Sequence, residues 1–300
     1  MCIICSQTYT NHTRIVKCCP KVKEIPLLPD LIELHCSNSM ITEIPFLSRL
    51  KRLYCSSCGI KTIPSLPNLE ILECYNSTIN YIPSLPKILN IYCDSSSIKK
   101  IETSDTLRVL CCRDTEIEEL PDFPAIEALV CSNTLISSIR IYPNLVELCC
   151  SNTPIREIGS FPNLVHLECN SSMVEKISSM DTLFELECAN TNIVSLPVFL
   201  GLNMLKCDYN KIRYIPRLPH LDFIEARGCR FLLENRSNCE GDFRDCVWLK
   251  SKNGKYRERV RHVIFLQRAF RKFIKRKRFI IRLVLIKRLP LELVNLVLDY

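Results

Sequence analysis

The 300-residue chain has only six glycines and one tryptophan. No glycine-rich loop is present to cradle phosphates, a role that needs several backbone N–H groups brought close to an anion without Cβ interference. Long apolar runs are also missing. Stretches such as Leu283-Val284-Leu285-Ile286 fall far below the roughly 18 residues of a membrane-spanning helix. The opening, MCIICSQTYTN, lacks a basic segment followed by a long apolar one. A secretory leader is therefore not expected, and a reducing, cytoplasmic compartment is. The N-x-S/T matches, such as Asn76-Ser77-Thr78, then reflect turn composition. Histidine is sparse: His12, His35, His166, His220 and His262 are scattered, and no cluster with a cysteine or carboxylate is expected. No enzyme and no cofactor is expected from such a set.

Cysteine and proline, by contrast, are abundant, at 20 and 17 residues. Cys36, Cys55, Cys74, Cys93, Cys112, Cys131, Cys150, Cys169, Cys188 and Cys207 follow one another at an unbroken spacing of nineteen, and Ala226 takes the next slot. At roughly one chance in 15 per position, such a series marks an internal repeat. The frame is L-x-x-L-x-C-x-x-(S/T/N)-x-I-x-x-I/L-(P), as in Leu69, Leu72, Cys74, Ser77, Ile79, Ile82 and Pro83.

The L-x-x-L-x-C segment has room for one short strand, with Leu72 and Cys74 on one face and Glu73 and Tyr75 on the other. One strand per copy, always in the same sense, predicts a parallel ladder. The remaining dozen residues leave no length for an ordinary helix. Prolines as in Pro64-Ser65-Leu66-Pro67 predict an extended, polyproline-like return. The P-x-x-P runs are then scaffold rather than ligands for proline-binding domains.

These residues resemble the leucine-rich repeat family in its short variety with L-P-x-L-P on the convex side. The resemblance covers residues 31–230 in eleven copies and implies a right-handed solenoid with its strand ladder on a concave face. The family's turn asparagine appears at Asn210; Ser39, Ser77, Ser96, Thr115, Thr134, Thr153, Ser172, Thr191 and, once, Cys58 stand in elsewhere. Four segments follow: an N-terminal cap with a degenerate copy (residues 1–30), the solenoid (31–230), a C-terminal cap or linker (231–254) and a basic helical tail (255–300). A monomer is expected.

The ladder cysteines read as small apolar core groups in a slot that usually holds leucine. Cys2, Cys5, Cys18 and Cys19 include a C-x-x-C half-site for zinc. The second pair is adjacent, a spacing that seldom lets both sulfurs reach one ion, so no metal is assigned. Cys229, Cys239 and Cys246 are expected to pack at the cap.

In the resembled family the exposed strand residues bind the ligand, a protein or peptide. The concave candidates are Arg52, Tyr54, Tyr75 and Tyr92 at an aromatic, partly basic early end; Val109, Val130 and Val146 in an apolar middle; and Glu168, Glu187 and Glu225 at an acidic late end. An exposed apolar middle would mark the contact.

Composition changes near Lys250. From there to the last residue 16 Lys+Arg face 3 Asp+Glu, net +13, while residues 1–249 have 24 against 29, net −5. Apolar residues at helical spacing from about Arg257 to Arg288 predict a basic amphipathic helix. Within it Leu266, Gln267, Arg271, Arg276 and Phe279 resemble an IQ motif, which implies a calmodulin-like partner; Lys272 replaces the usual glycine. A solvated cap and a nucleic-acid or anionic-membrane contact remain alternatives. Leu289, Pro290, Glu292, Leu293, Val297 and Leu298 resemble the opening of an F-box, which implies docking to a ubiquitin-ligase linker subunit. A solenoid followed by a truncated F-box resembles the arrangement in poxviral ankyrin-repeat proteins, and the combination of cysteine-rich repeats with such tails resembles predicted products of large DNA viruses. The opposite charges suggest that residues 268–278 fold back toward Glu187, Asp208 and Glu225. The expectation overall is a non-enzymatic interaction scaffold, with a ubiquitin-ligase adaptor or a structural packing protein as alternatives.

Overall fold

The computed structural model describes residues 2–216 and 218–229, together with short strands at Leu232–Leu233, Val247–Lys250 and Tyr256–Glu258. The chain divides into two compact units, Met1–Asp245 and Cys246–Tyr300.

In the first unit twelve three-residue strands, from Ile15–Lys17 through Glu33–His35 and Arg52–Tyr54 to Phe223–Glu225, pair side by side. The pairing is parallel and follows the repeat: Leu72 lies on Ile91, Leu110 on Leu129 and Leu148 on Leu167. The first coil is one residue short, with Val16 on Leu34. This places Cys18 in the rung below Cys36, so the degenerate copy within residues 1–30 joins the ladder through the strand Ile15–Lys17.

Each coil closes by the same few contacts. The central leucine or isoleucine of the strand points inward, and the next residue but one, the ladder cysteine, is fully buried at all ten positions. Its amide continues the ladder, as in Cys74 N–H to Tyr92 O and Cys131 N–H to Cys149 O, both 2.8 Å. Burial pushes the Cys131 thiol up to about 12, so it stays a neutral packing group. Three residues on, a hydroxyl ties the turn back to the cysteine carbonyl: Thr115 to Cys112 O, Thr134 to Cys131 O and Thr153 to Cys150 O, each 2.7 Å.

From the Cys36 coil onward a left-handed residue lies two positions after the ladder slot. Asn38, Ser57, Asn76, Ser95, Asp114, Asn133, Asn152, Ser171, Asn190 and Tyr209 have φ between 48° and 58°, and Gly228 ends the column at 69°. Asparagine, aspartate and glycine tolerate this region best, and the turn there reverses the chain out of the strand.

The return side contains no helix among the described residues. Three short parallel pairs form on it, among them Tyr81–Ile82 with Lys100–Ile101 and Glu157–Ile158 with Lys176–Ile177; the third is Tyr214–Ile215 with Leu232–Leu233. In the first two the backbone N–H after the second strand is a donor. In both, the slot usually taken by proline holds another residue in the second strand's coil: Glu102 donates to Ile82 O at 3.1 Å and Ser178 to Ile158 O at 2.9 Å. Proline at that slot removes the donor. Behind this wall a column of large side chains fills the coil interior, with Phe123, Phe161 and Phe199 fully buried.

In the second unit Val247–Lys250 and Tyr256–Glu258 form an antiparallel pair, Leu249 facing Arg257. The helix expected from about Arg257 is therefore corrected at its start, where Arg257 and Glu258 are in a strand. The intervening sequence holds Asn253-Gly254, a strong hairpin signal that outweighs helical periodicity over so short a stretch. No described helix is long and apolar enough to cross a membrane.

Candidate functional site

The first and third residues of each strand face away from the core and form the concave surface. At its early end Arg52 reaches Glu33 Oε2 through Nε at 2.7 Å and Nη2 at 2.6 Å, and Glu33 also meets His35 Nε2 at 2.6 Å. The His35 and Tyr54 rings stack at 4.4 Å and 10°. Tyr75 and Tyr92 lie 6.4 Å apart and tilted by 40°. The repeat makes the Glu33–Arg52 and His35–Tyr54 pairs, because residues nineteen apart become neighbours one strand away, while Tyr75 and Tyr92, seventeen apart, meet diagonally.

The middle departs from expectation. Val109, Cys111, Ala128, Val130 and Cys149 do face the concave side, yet none is more than 8 % exposed. Short side chains at one slot of successive coils shelter one another, and the taller Tyr92, Glu147 and His166 flank them. The expected exposed apolar middle is thus a closed floor, and a charge placed at Val130 would disturb folding before binding.

Beside this floor, exposed apolar residues follow one another one column aside, four residues before the ladder cysteine. Val146 is half-buried there, and Val165 and Phe184 in the next two coils are 39 % and 43 % exposed. Their backbones run on from one another, Val165 N–H to Val146 O and Phe184 N–H to Val165 O, both 2.9 Å. An open pocket of about 520 Å³ adjoins Val146, lined by Arg108, Ala125, Glu127, Asn144 and Asn163 as well. Asn144 and Asn163 hold its rim through bonds to the Pro124 and Pro143 carbonyls at 2.9 and 2.8 Å. Val165 and Phe184 were not among the sequence candidates, although their column is visible at the same period of nineteen.

The late end is acidic and internally bonded. Glu168 accepts from Ser151 Oγ at 3.0 Å, Glu187 from Asn170 at 3.4 Å and from Lys206 Nζ, and Glu225 from Arg227. Here the expectation that no histidine meets a cysteine or carboxylate is corrected: His166 Nδ1 lies 3.1 Å from Glu185 Oε2, and Lys206 Nζ 3.5 Å from Glu185 Oε1. Parallel stacking is the cause, since Glu147, His166, Glu185 and Met204 occupy one slot of four successive coils. His35 beside Glu33 and His12 beside Asp30 correct the same expectation.

Burial alone would raise the Glu185 carboxyl, but the His166 hydrogen bond and the charges of His166 and Lys206 hold it at about 2. A carboxyl depressed on folding stabilises above its unfolded value of about 4.3 and loses that contribution as pH falls toward 2. Acid unfolding followed by circular dichroism is expected to show wild type losing on the order of 1–2 kcal/mol more between pH 4.5 and 2 than Glu185→Gln. Identical acid profiles would contradict the pairing.

Two groups among the described residues bring metal-ligating atoms within 4.8 Å of one another: Cys2, Cys5 and Cys19, and Glu147, Cys149 and His166. The second sits at the edge of the closed floor, where the Cys149 side is 2 % exposed and leaves an external substrate no approach to sulfur. The tail candidates Leu266, Gln267, Arg271, Arg276, Phe279, Leu289, Pro290, Glu292, Leu293, Val297 and Leu298, and the fold-back of residues 268–278, lie outside the described residues.

No family model and no curated protein matches the chain. Solved structures do. The functional domain of InlJ from Listeria monocytogenes, which includes a cysteine ladder, superposes with a TM-score of 0.58 at 17 % identity, covering 79 % of this chain and 61 % of that one. YopM, a leucine-rich effector of Yersinia pestis, gives 0.54 at 20 %, covering 77 % and 81 %. The leucine-rich repeat protein LIC12759 of Leptospira interrogans gives 0.53 at 18 %, covering 69 % and 63 %. This chain therefore spans less than two thirds of the InlJ and LIC12759 structures. The superposition of this chain's parallel ladder on these leucine-rich structures gives it the leucine-rich repeat fold.

Proposed function

We propose that the solenoid is a non-catalytic scaffold that binds a protein segment along its concave face. The single observation that carries this reading is the contiguous exposed edge of Val146, Val165 and Phe184, which adjoins the acidic late rows. Apolar surface ordered by a rigid ladder suits a protein segment with apolar anchors. Arg52, Tyr54, Tyr75 and Tyr92 extend the contact at the early end, and Val109 and Val130 contribute a floor rather than anchors. The fold supports the class of function, since solenoids offer extended concave surfaces, but it does not name the ligand.

The basic tail adds a second contact in this proposal, calmodulin-like through residues 266–279 or a ubiquitin-ligase linker through residues 289–298, in a reducing cytoplasm. Its support is the sequence pattern alone.

The test is affinity capture from eukaryotic lysate with wild type, Val165→Asp/Phe184→Asp and, on the return side, Leu27→Asp, a residue 74 % exposed. Proteins captured by wild type and Leu27→Asp are expected to fall at least tenfold with the double variant. Equal capture by all three would refute the edge as the contact. A chain stopped at Gly254 separates tail-dependent partners from those of the solenoid.

A further inference from the structure

The N-terminal cysteines form a cluster that the ladder does not use. Cys2 and Cys5 lie on a tight turn, in which Ser6 N–H donates to Cys2 O at 3.0 Å, Gln7 N–H to Ile4 O at 3.2 Å and Thr8 N–H to Ile3 O at 3.1 Å. Gln7 takes a left-handed φ of 55° to complete it. The turn faces Cys19, with Cys5 Sγ 3.4 Å from Cys19 Sγ and all three sulfurs mutually within 4.8 Å. Three sulfurs around one tetrahedral ion at a Zn–S distance of about 2.3 Å would sit about 3.8 Å apart. The Cys5–Cys19 separation of 3.4 Å and the 4.8 Å limit on all three sulfurs leave that spacing within reach.

The adjacency of Cys18 and Cys19, which argued against a metal, is resolved by the strand. Cys18 N–H donates to His35 O at 2.8 Å in the ladder rung below Cys36. Successive residues of an extended chain point to opposite sides, so Cys18 belongs to the core end of the ladder and Cys19 turns to the N-terminal segment.

We propose that Cys2, Cys5 and Cys19 bind one thiophilic divalent cation of the zinc class as three thiolates, with solvent in the fourth position. Each thiol gives its proton to solvent as it ligates. The site would tie residues 2–8 to the start of the solenoid, beside the terminal strand Ile15–Lys17, whose one ladder partner in the first unit is Glu33–His35. An edge strand left open invites pairing with other chains, and a metal staple across the segment ahead of it would close it.

The experiment uses the full chain, purified with zinc under a non-chelating reductant and dialysed against zinc-free buffer. Metal content is read by plasma mass spectrometry and ligand type by the thiolate-to-metal absorption of the cobalt(II) form. One equivalent of zinc per chain is expected. Cys5→Ser, at an exposed position where folding is undisturbed, and Cys2→Ser and Cys19→Ser are each expected to weaken retention at least tenfold. Cys18→Ser and Cys58→Ser are expected to retain the full equivalent. No retained zinc, an unchanged stoichiometry in the triple variant, a Cys5–Cys19 disulfide under reductant, or loss in Cys18→Ser equal to that in Cys19→Ser would each overturn the three-thiolate site.

Discussion

Phe161→Ala is expected to lower the unfolding free energy by about 3–5 kcal/mol, the largest effect of any single truncation in the solenoid. Phe161 is 1 % exposed and occupies the slot held by Tyr142 and Met180 in the adjoining coils. The coil interior at this level is filled by this one column, in which the Phe123 and Tyr142 rings lie 6.5 Å apart. The backbone around it is fixed on both sides by ladder and turn bonds, so the cavity left by a ring cannot collapse. Urea unfolding should show a lower midpoint, and Phe161→Leu, which keeps most of the volume, should cost less than half as much. A change below about 1 kcal/mol for the alanine variant would contradict the packing described.

Asn210→Ala is the second large effect, roughly 3 kcal/mol. In coils such as those of Thr115, Thr134 and Thr153 the turn slot holds a hydroxyl bonded to its own cysteine carbonyl, but Asn210 reaches back to the preceding coil. Its Oδ1 accepts from Thr191 N–H at 2.7 Å and Thr191 Oγ1 at 3.0 Å, while Nδ2 donates to Cys188 O at 2.7 Å. It is 6 % exposed, so alanine strands the buried Thr191 N–H at about 1–3 kcal/mol and removes one of the two donors on Cys188 O, which keeps the Thr191 hydroxyl at 3.0 Å. Thr153→Val, which removes a single hydroxyl bond to Cys150 O, is expected to cost about 1 kcal/mol. The difference between the two is the measurement. Equal losses would mean that the inter-coil bonds of Asn210 add nothing, and hydrogen exchange at the Thr191 amide would show the same directly.

Much of the architecture was legible because a solenoid is nearly one-dimensional. Each residue meets the same slot of the coil before and after it, so a period of nineteen states the contacts as well as the elements. The cysteine column, the strand in L-x-x-L-x-C and the absence of a helix on the return side all follow from that. The left-handed column was also written in the sequence, as Asn, Ser and Asp ending in Gly228, but its meaning depends on φ rather than on hydrophobic period.

Tertiary structure decided what depends on height and curvature. Val109 and Val130 face the concave side as their alternation requires, yet neighbouring coils bury them, and exposed apolar residues stand one column aside at Val165 and Phe184. Side-chain alternation assigns a face; solvent access depends on how tall the neighbours stand. His166 meets Glu185 because parallel register adds lateral partners to sequential ones. Cys2 and Cys5 meet Cys19 because a turn outside the repeat folds back onto the first coil. By itself, then, the sequence determined the repeating coil, whose contacts are local to the period. Exposure on the concave face and the meeting of residues outside the repeat were left to the folded chain, because both depend on distances that no spacing along the sequence encodes.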